Sequence, residues 1–305
     1  MKQFLKHGFI FFIIFFIVEK SAYLLMLKAP QREYDKRLEF VLKGEMNKDI
    51  IILGSSRGAS NVLAGQLEKE TGLKTYNLSY EGSNVLFHNF ILKTLLKYNK
   101  SPKKIIIVFD LPYQFIEEKS LIFRADRLYP LSKSNYINEQ LIKHEKKNWI
   151  SWFFMLARLN KVHLEFNNKN PFRYNPIDSL GSRPYIIKKD TKNPEYLSTI
   201  TKYDSALELP EKIEAFTNIQ KLCSENNIEL IVVIPPNFKK YNSSFTKRIK
   251  KLLLQDNRLY VYDTLNPIYK NEDYFNDSSH LFKNGAKIFT SEISTFINQN
   301  KDSLK

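Results

Sequence analysis

The chain has 305 residues, 43% of them hydrophobic, and a formal net charge of +15 carried mostly by lysine. That composition allows one large domain, alone or with an insertion, and a proper core; a single cysteine, Cys223, excludes an intrachain disulfide framework. With no zinc-finger spacing and no RNA-binding motif, the charge points to a solvated basic surface, anionic lipid headgroups or an acidic glycan rather than to nucleic acid.

The N-terminus is basic from Met1 to His7, apolar from Gly8 to Val18, interrupted at Glu19 and Lys20, and apolar again from Ala22 to Leu27. The first apolar run is short for a membrane span and looks like a signal-peptide core, but no small-x-small cleavage site follows it. A helix continued to Leu27 reaches spanning length with some tilt or thinning. The expectation is an uncleaved signal-anchor over 1–27, with Glu19 and Lys20 costly unless paired or near an interface. A mixed, charged connector follows over 28–48. Basic residues flank both sides, so the charge rule leans only weakly towards a cytoplasmic N-terminus. The expected location is the cytoplasmic membrane, single-pass, with the remaining chain extracytoplasmic.

Asp49–Leu53 is a short continuous apolar run, as in a strand buried on both faces, and Gly54 ends it. Ser60–Glu70 has helical character and stops at Gly72. Lys74–Leu78 is a second strand, Asn84–Tyr98 a helix, and Lys104–Phe109 a third strand that delivers Asp110. From Leu111 to about Leu207 the chain turns aromatic, basic and rich in Asn and Pro, with a helix expected near 148–159; this reads as an insertion or lid. Alternation then resumes. Pro210 suits the first turn of a helix ending near Asn226, in which Cys223 shares a face with Ile213, Phe216 and Ile219 and belongs to the core. Ile228–Ile234 is a strand ended by Pro235 and Pro236. Asn242–Leu254 is a helix, Leu259–Tyr262 a strand, and Leu281–Ile297 the last helix, with Ala286, Phe289, Ile293 and Phe296 on one stripe. The predicted class is α/β: a three-layer sandwich on a mostly parallel, flavodoxin-like five-stranded sheet, spanning 49–300. Sites in such sheets form beyond the carboxyl ends of the strands, where Gly54-Ser55-Ser56, Asp110 and Pro235-Pro236 all fall.

Two ends of the chain carry the chemistry. Ser56 sits at a strand-to-helix turn, where free backbone N–H groups suit a developing oxyanion. Its hydroxyl needs a base to become a nucleophile. Of the five histidines, His280 has an acid three residues before it and a helix start after it. Asp277 can hold one ring nitrogen and leave the other for the serine. Either piece alone is common: Ser at such a turn is often a plain cap, and Asp277 or Ser278 could simply cap the last helix.

Together these pieces resemble the SGNH/GDSL hydrolase superfamily. Gly54-Ser55-Ser56-Arg57 is similar to its first block, which implies Ser56 as nucleophile. Asn77-Leu-Ser-Tyr-Glu-Gly82-Ser-Asn84 is similar to its second block, whose glycine N–H lines the oxyanion hole. Asp277-Ser-Ser-His280-Leu-Phe-Lys-Asn-Gly285-Ala is similar to its last block, with acid and base. The resemblance covers Asp49 to Ile297 apart from the middle insertion. It departs in two places: Gly-Asp-Ser has become Gly-Ser-Ser, and no third-block asparagine is visible, Phe109-Asp110-Leu-Pro112 standing in its place. Asn84 could substitute in the oxyanion hole or could be an N-cap.

The Gly-Ser-Ser block, the anchor and the Ile-Pro-Pro strand end further resemble envelope-associated members of the superfamily, such as alginate-acetylation and D-alanyl-lipoteichoic-acid transfer proteins. The resemblance implies a serine acyl esterase or O-acyltransferase acting on cell-envelope glycan, with no metal or organic cofactor. Its partners would be the acylated glycan, the membrane and a membrane-bound acyltransferase.

Two other readings stand beside it. One is a non-catalytic glycan-binding or scaffold protein of the same fold, whose basic, aromatic middle (Trp149, Trp152, Phe153, Phe172, Arg173, Tyr174 and Arg183) could bind glycan, lipid or a membrane partner protein, or could equally be the insertion's own core. The other is a short-chain-dehydrogenase-like oxidoreductase, from the Gly54–Ser60 turn and the Tyr129/Lys133 spacing. Pro130 argues against the helix that pair needs.

Overall fold

The computed structural model describes residues 1–110, 112–169, 174–187, 194–199 and 201–299. In chain order its helices and strands are α1 (Lys2–Lys28), α2 (Arg37–Leu42), β1 (Ile50–Gly54), α3 (Ser56–Asn61), α4 (Ala64–Thr71), β2 (Thr75–Asn77), α5 (Val85–Tyr98), β3 (Lys104–Val108), α6 (Asn135–Lys143), α7 (Met155–Arg158), α8 (Lys161–Leu164), α9 (Pro210–Glu225), β4 (Glu229–Ile234), α10 (Ser243–Leu252), β5 (Arg258–Val261) and α11 (Lys283–Asn298). They fall into two compact units, Met1–Glu39 with Arg124–Pro171, and Phe40–Phe123 with Phe172–Lys305. The insertion expected over 111–207 is therefore divided: its middle, from Arg124 on to residue 169, folds with the N-terminal helix, while its described residues before and after that stretch fold with the sheet.

The larger unit is an α/β sandwich. Its five strands are all parallel, in the order β2-β1-β3-β4-β5. The strands read as unbroken apolar runs because helices cover both faces; Ile50 to Leu53 and Leu230 to Ile234 are wholly buried. The register sets Gly54 against Val108 and Val108 against Val233, so the chain leaves β1, β3 and β4 at one common edge. Ser55, Asp110 and Pro235 meet there. Cys223 is buried, and burial pushes its thiol up to about 12.

The helix expected over 60–70 is two helices. Val62 and Leu63 are extended between them. The Val62 carbonyl accepts from Asn77 Nδ2 at 3.0 Å and Ser182 Oγ at 3.2 Å, and that pull takes it out of the helical ladder. Gly58, inside α3, allows a close approach. A Cβ there would lie 3.0 Å from Ser79 Cβ and closer still to Ser79 Oγ.

The smaller unit contains α1, which runs unbroken through Glu19 and Lys20 and is long and apolar enough to cross a membrane. The helix expected near 148–159 is a 3₁₀ turn at Trp149–Trp152 followed by the short α7. Phe154 is extended between them, and the Glu19 carboxylate takes the Met155 and Leu156 N–H groups at 2.9 and 3.2 Å. Helix α6 had no clear sequence signal. Asn138 at its centre is buried and donates to the Ser151 carbonyl at 3.0 Å, so tertiary contacts support this helix.

Candidate active site

Ser56 is the first residue of α3, directly after β1. Its N–H stands where a helix offers no internal acceptor. Ser55 before it is the N-cap. The Ser55 oxygen accepts from Arg57 N–H at 3.3 Å, and its hydroxyl donates to Asp110 Oδ1 at 2.7 Å. Ser55 is fully buried and committed to structure. Of the two adjacent serines, Ser56 is the one free to serve the cavity.

The residues at the other end of the chain reach it. His280 Nε2 lies 2.8 Å from Ser56 Oγ across a sequence separation of 224. His280 Nδ1 lies 2.9 and 2.8 Å from the two Asp277 oxygens. Asp277 Oδ1 also accepts from the backbone N–H groups of Ser279, at 2.9 Å, and His280, at 3.0 Å. Burial works against charge on Asp277. The hydrogen bond and charge of His280, with those two N–H groups, outweigh it and hold the carboxyl well below the usual range. This carboxylate favours the ring tautomer with the proton on Nδ1, leaving Nε2 as an acceptor for the serine proton.

The loop that presents this pair is closed on all sides. Asn276 N–H donates to the His280 carbonyl at 2.8 Å, below the bridge between Phe275 and Leu281. Asn61, at the end of α3, accepts from Leu281 N–H at 3.0 Å. Phe238 N–H holds the Ser278 carbonyl at 2.9 Å, and the Tyr185 ring packs on His280 at 5.4 Å. Helix α11 begins only at Lys283, and its N-cap Phe282 makes no side-chain cap. Asp277 therefore faces the histidine and does not cap that helix.

Ser56 and His280 line a cavity of about 280 Å³ together with Arg57, Asp110, Asn237 and Lys239. A second cavity of about 220 Å³ adjoins it, sharing Tyr113, Leu197, Asn237 and Lys239. Asp110 and Arg57 were not foreseen as partners. Asp110 is buried, which raises its carboxyl against the pull of Arg57 and Ser55, and among the described residues its Oδ2 has no hydrogen-bond partner. Arg57 is buried beside it and donates to the Pro235 and Pro236 carbonyls, each at 2.9 Å, locking the end of β4 to α3. Only the two adjacent carbonyls of Pro235-Pro236 at a strand end hinted at this clamp.

Gly82 and Asn84 are not part of the cavity wall. Gly82 occupies the left-handed region at φ +67°, which suits glycine, and its carbonyl accepts from Ile122 N–H at 2.8 Å. Asn84 is the N-cap of α5: its oxygen accepts from Phe87 N–H at 3.2 Å, and its amide nitrogen lies 3.5 Å from the Leu121 carbonyl.

The aromatic and basic residues of the middle segment do not form one group. Trp149, Trp152 and Phe153 belong to the smaller unit, Tyr174 and Arg183 to the larger, and Phe172, Arg173 and Leu111 lie outside the described residues. Arg183 is buried, pairs with Glu81 and donates to the Asn175 carbonyl at 2.8 Å. Tyr129 sits in a 3₁₀ turn and Lys133 lies over the Tyr23 ring, so that pair is not presented along an α-helix. Among the described residues no group of three or more His, Cys, Asp or Glu side chains could hold a metal ion. No protein-family model matches this chain, and no curated protein matches it.

Proposed function

We propose that this protein is a membrane-anchored, extracytoplasmic serine acyl esterase or O-acyltransferase of the SGNH type, acting on acyl groups of cell-envelope glycan. The observation that carries the reading is the continuous chain Ser56 Oγ–His280 Nε2 and His280 Nδ1–Asp277, with 2.8 Å at each junction. Nothing in plain helix capping requires all three groups to line up.

The steps follow from the geometry. Ser56 Oγ attacks the acyl carbonyl carbon as its proton passes to His280 Nε2. Asp277 stabilises the resulting imidazolium. The tetrahedral oxyanion then collapses, the bond to the alkoxy oxygen breaks, and that oxygen takes the proton from Nε2. An acceptor hydroxyl next gives its proton to Nε2 and attacks the acyl-serine, and Ser56 recovers its proton. Water as acceptor gives hydrolysis; a sugar hydroxyl gives transfer. The Ser56 N–H is the oxyanion donor already at the site. Gly82 must come to the cavity wall, and Asn84 must release the Leu121 carbonyl, before either can contribute. Among the described residues one helix, α1, is long and apolar enough to cross a membrane, which supports the anchor.

The position of Gly82 and Asn84 away from the cavity favours one competing reading, a glycan-binding member without catalysis. Turnover separates the two. Purified protein incubated with O-acylated envelope polysaccharide should release or transfer the acyl group, and Ser56→Ala should abolish this while leaving polysaccharide binding intact. Binding unchanged by Ser56→Ala, with no acyl chemistry in the native protein, would establish the scaffold instead.

A further inference from the structure

The smaller unit carries a surface that acyl chemistry does not use. Trp149, Ile150, Trp152, Phe153, Phe154 and Leu156 are all exposed, Phe153 at 73% and Trp149 at 66%. A run of large apolar side chains this dense is uncommon on a water-facing surface. The backbone beneath it is held firmly. Arg158 is buried and donates to the carbonyls of Ser151 at 2.7 Å, Lys133 at 3.1 Å and Trp152 at 3.3 Å. The aromatics face outward from a fixed frame.

That frame is fastened to α1. The Phe154 ring meets Phe15 edge-on at 5.5 Å. One turn further along, the two oxygens of Glu19 accept from Met155 and Leu156 N–H. A carboxylate within an apolar helix is costly in a bilayer unless its oxygens are satisfied, and here the same segment satisfies them. At 1.5 Å per residue, Glu19 lies about 12 Å along the helix from Leu27. With the apolar stretch ending at Val18, residues 149–156 lie at the bilayer surface, where Trp and Phe are favoured at the boundary of lipid and water. With it ending at Leu27, the segment would lie deep in the leaflet, so the surface placement is the one this element fits. Lys143, Lys146 and Lys161 of the same unit are exposed, and cations of this kind favour lipid phosphates.

We propose that residues 149–156 are a membrane-docking element, seated in the leaflet nearest the C-terminal end of α1, with lipid as its occupant. The element would give the protein a second membrane contact beside the anchor. This inference rests on α1 crossing a bilayer, and does not depend on the acyl-transfer chemistry.

The chain reports on itself, because its two tryptophans, Trp149 and Trp152, both lie in the patch. The full chain would be reconstituted into vesicles of phosphatidylethanolamine with a minority of phosphatidylglycerol, some brominated near the glycerol end of the acyl chain. The expected result is blue-shifted emission, strong loss of intensity in the brominated vesicles, and little loss with aqueous iodide. Phe153→Asp, which keeps both reporters at an exposed position, should weaken the bromine quenching. Emission typical of water, quenched by iodide alone, overturns the proposal. So does emission shielded from both quenchers, which would mean that protein covers the patch. Alkaline extraction tells the two levels apart: a chain that is stripped from the vesicles refutes the anchor as well, whereas one retained but not quenched refutes only the docking element.

Discussion

Replacing Asp277 by Asn tests the orientation of the histidine with almost no change in shape. The Ser279 and His280 N–H groups both point at Oδ1, so they keep the oxygen of the new amide at that site. The amide nitrogen then takes the Oδ2 site, 2.8 Å from His280 Nδ1 and 3.2 Å from the Asn276 amide nitrogen. It faces Nδ1 as a donor and favours the ring tautomer with the proton on Nε2, in competition with the amide oxygen 2.9 Å from Nδ1, so the nitrogen facing Ser56 loses much of its capacity to accept. Loss of a fully buried orienting carboxylate costs about 10⁴-fold in kcat. Asp277 is 46% exposed at its side chain, so solvent screens part of the effect. The expected loss is about 10²- to 10³-fold, equivalent to about 3–4 kcal/mol. The assay is hydrolysis of p-nitrophenyl acetate by detergent-solubilised protein, alongside the rate of labelling by a fluorophosphonate probe. Both should fall together, while the protein stays folded at neutral pH with a melting temperature lowered only modestly by the lost carboxylate. Rates within about threefold of the native protein would refute the assigned role of Asp277, since a lost orienting carboxylate costs far more.

Two further predictions concern the frame around the site. Gly58→Ala places a methyl group against Ser79 and should destabilise the larger unit by about 1–3 kcal/mol in thermal unfolding; an unchanged midpoint would mean that α3 moves away freely. His88 is buried with Nε2 2.9 Å from Ser83 Oγ, and burial depresses its ring to about 3. The unfolded ring takes up a proton below about 6.5 and the folded ring does not. Stability is therefore present above that pH and is lost as pH falls from about 6.5 towards 3, by about 2 kcal/mol at pH 5. His88→Gln should flatten that part of the stability profile, and an equal slope in the variant would assign the acid sensitivity elsewhere.

Much of this architecture was legible because its signals are local. Isoleucine runs such as Ile50–Ile52 and Ile105–Ile107 mark strands covered on both faces, and their regular alternation with amphipathic helices gives the parallel sheet. Ser56 and the Asp277–His280 pair were visible as residue types in the right order, although nothing in the sequence measures their separation in space. The rest depends on tertiary contact. The helix expected over 60–70 breaks at Val62 because Asn77 and Ser182 compete for its carbonyl. The segment near 148–159 breaks at Phe154, where Glu19 caps the next turn from more than a hundred positions away. Asp110 and Arg57 meet through adjacent strand ends, and neither carries a local mark of that pairing.

The most direct measurement is the site of covalent capture. A fluorophosphonate probe reacts with a serine only when a base draws off its proton. Peptide mass mapping after labelling should place a single adduct on Ser56, and Ser56→Ala and His280→Ala should each abolish it while the protein stays folded. A folded native protein that takes up no probe, or that carries the adduct on another serine, would contradict the account.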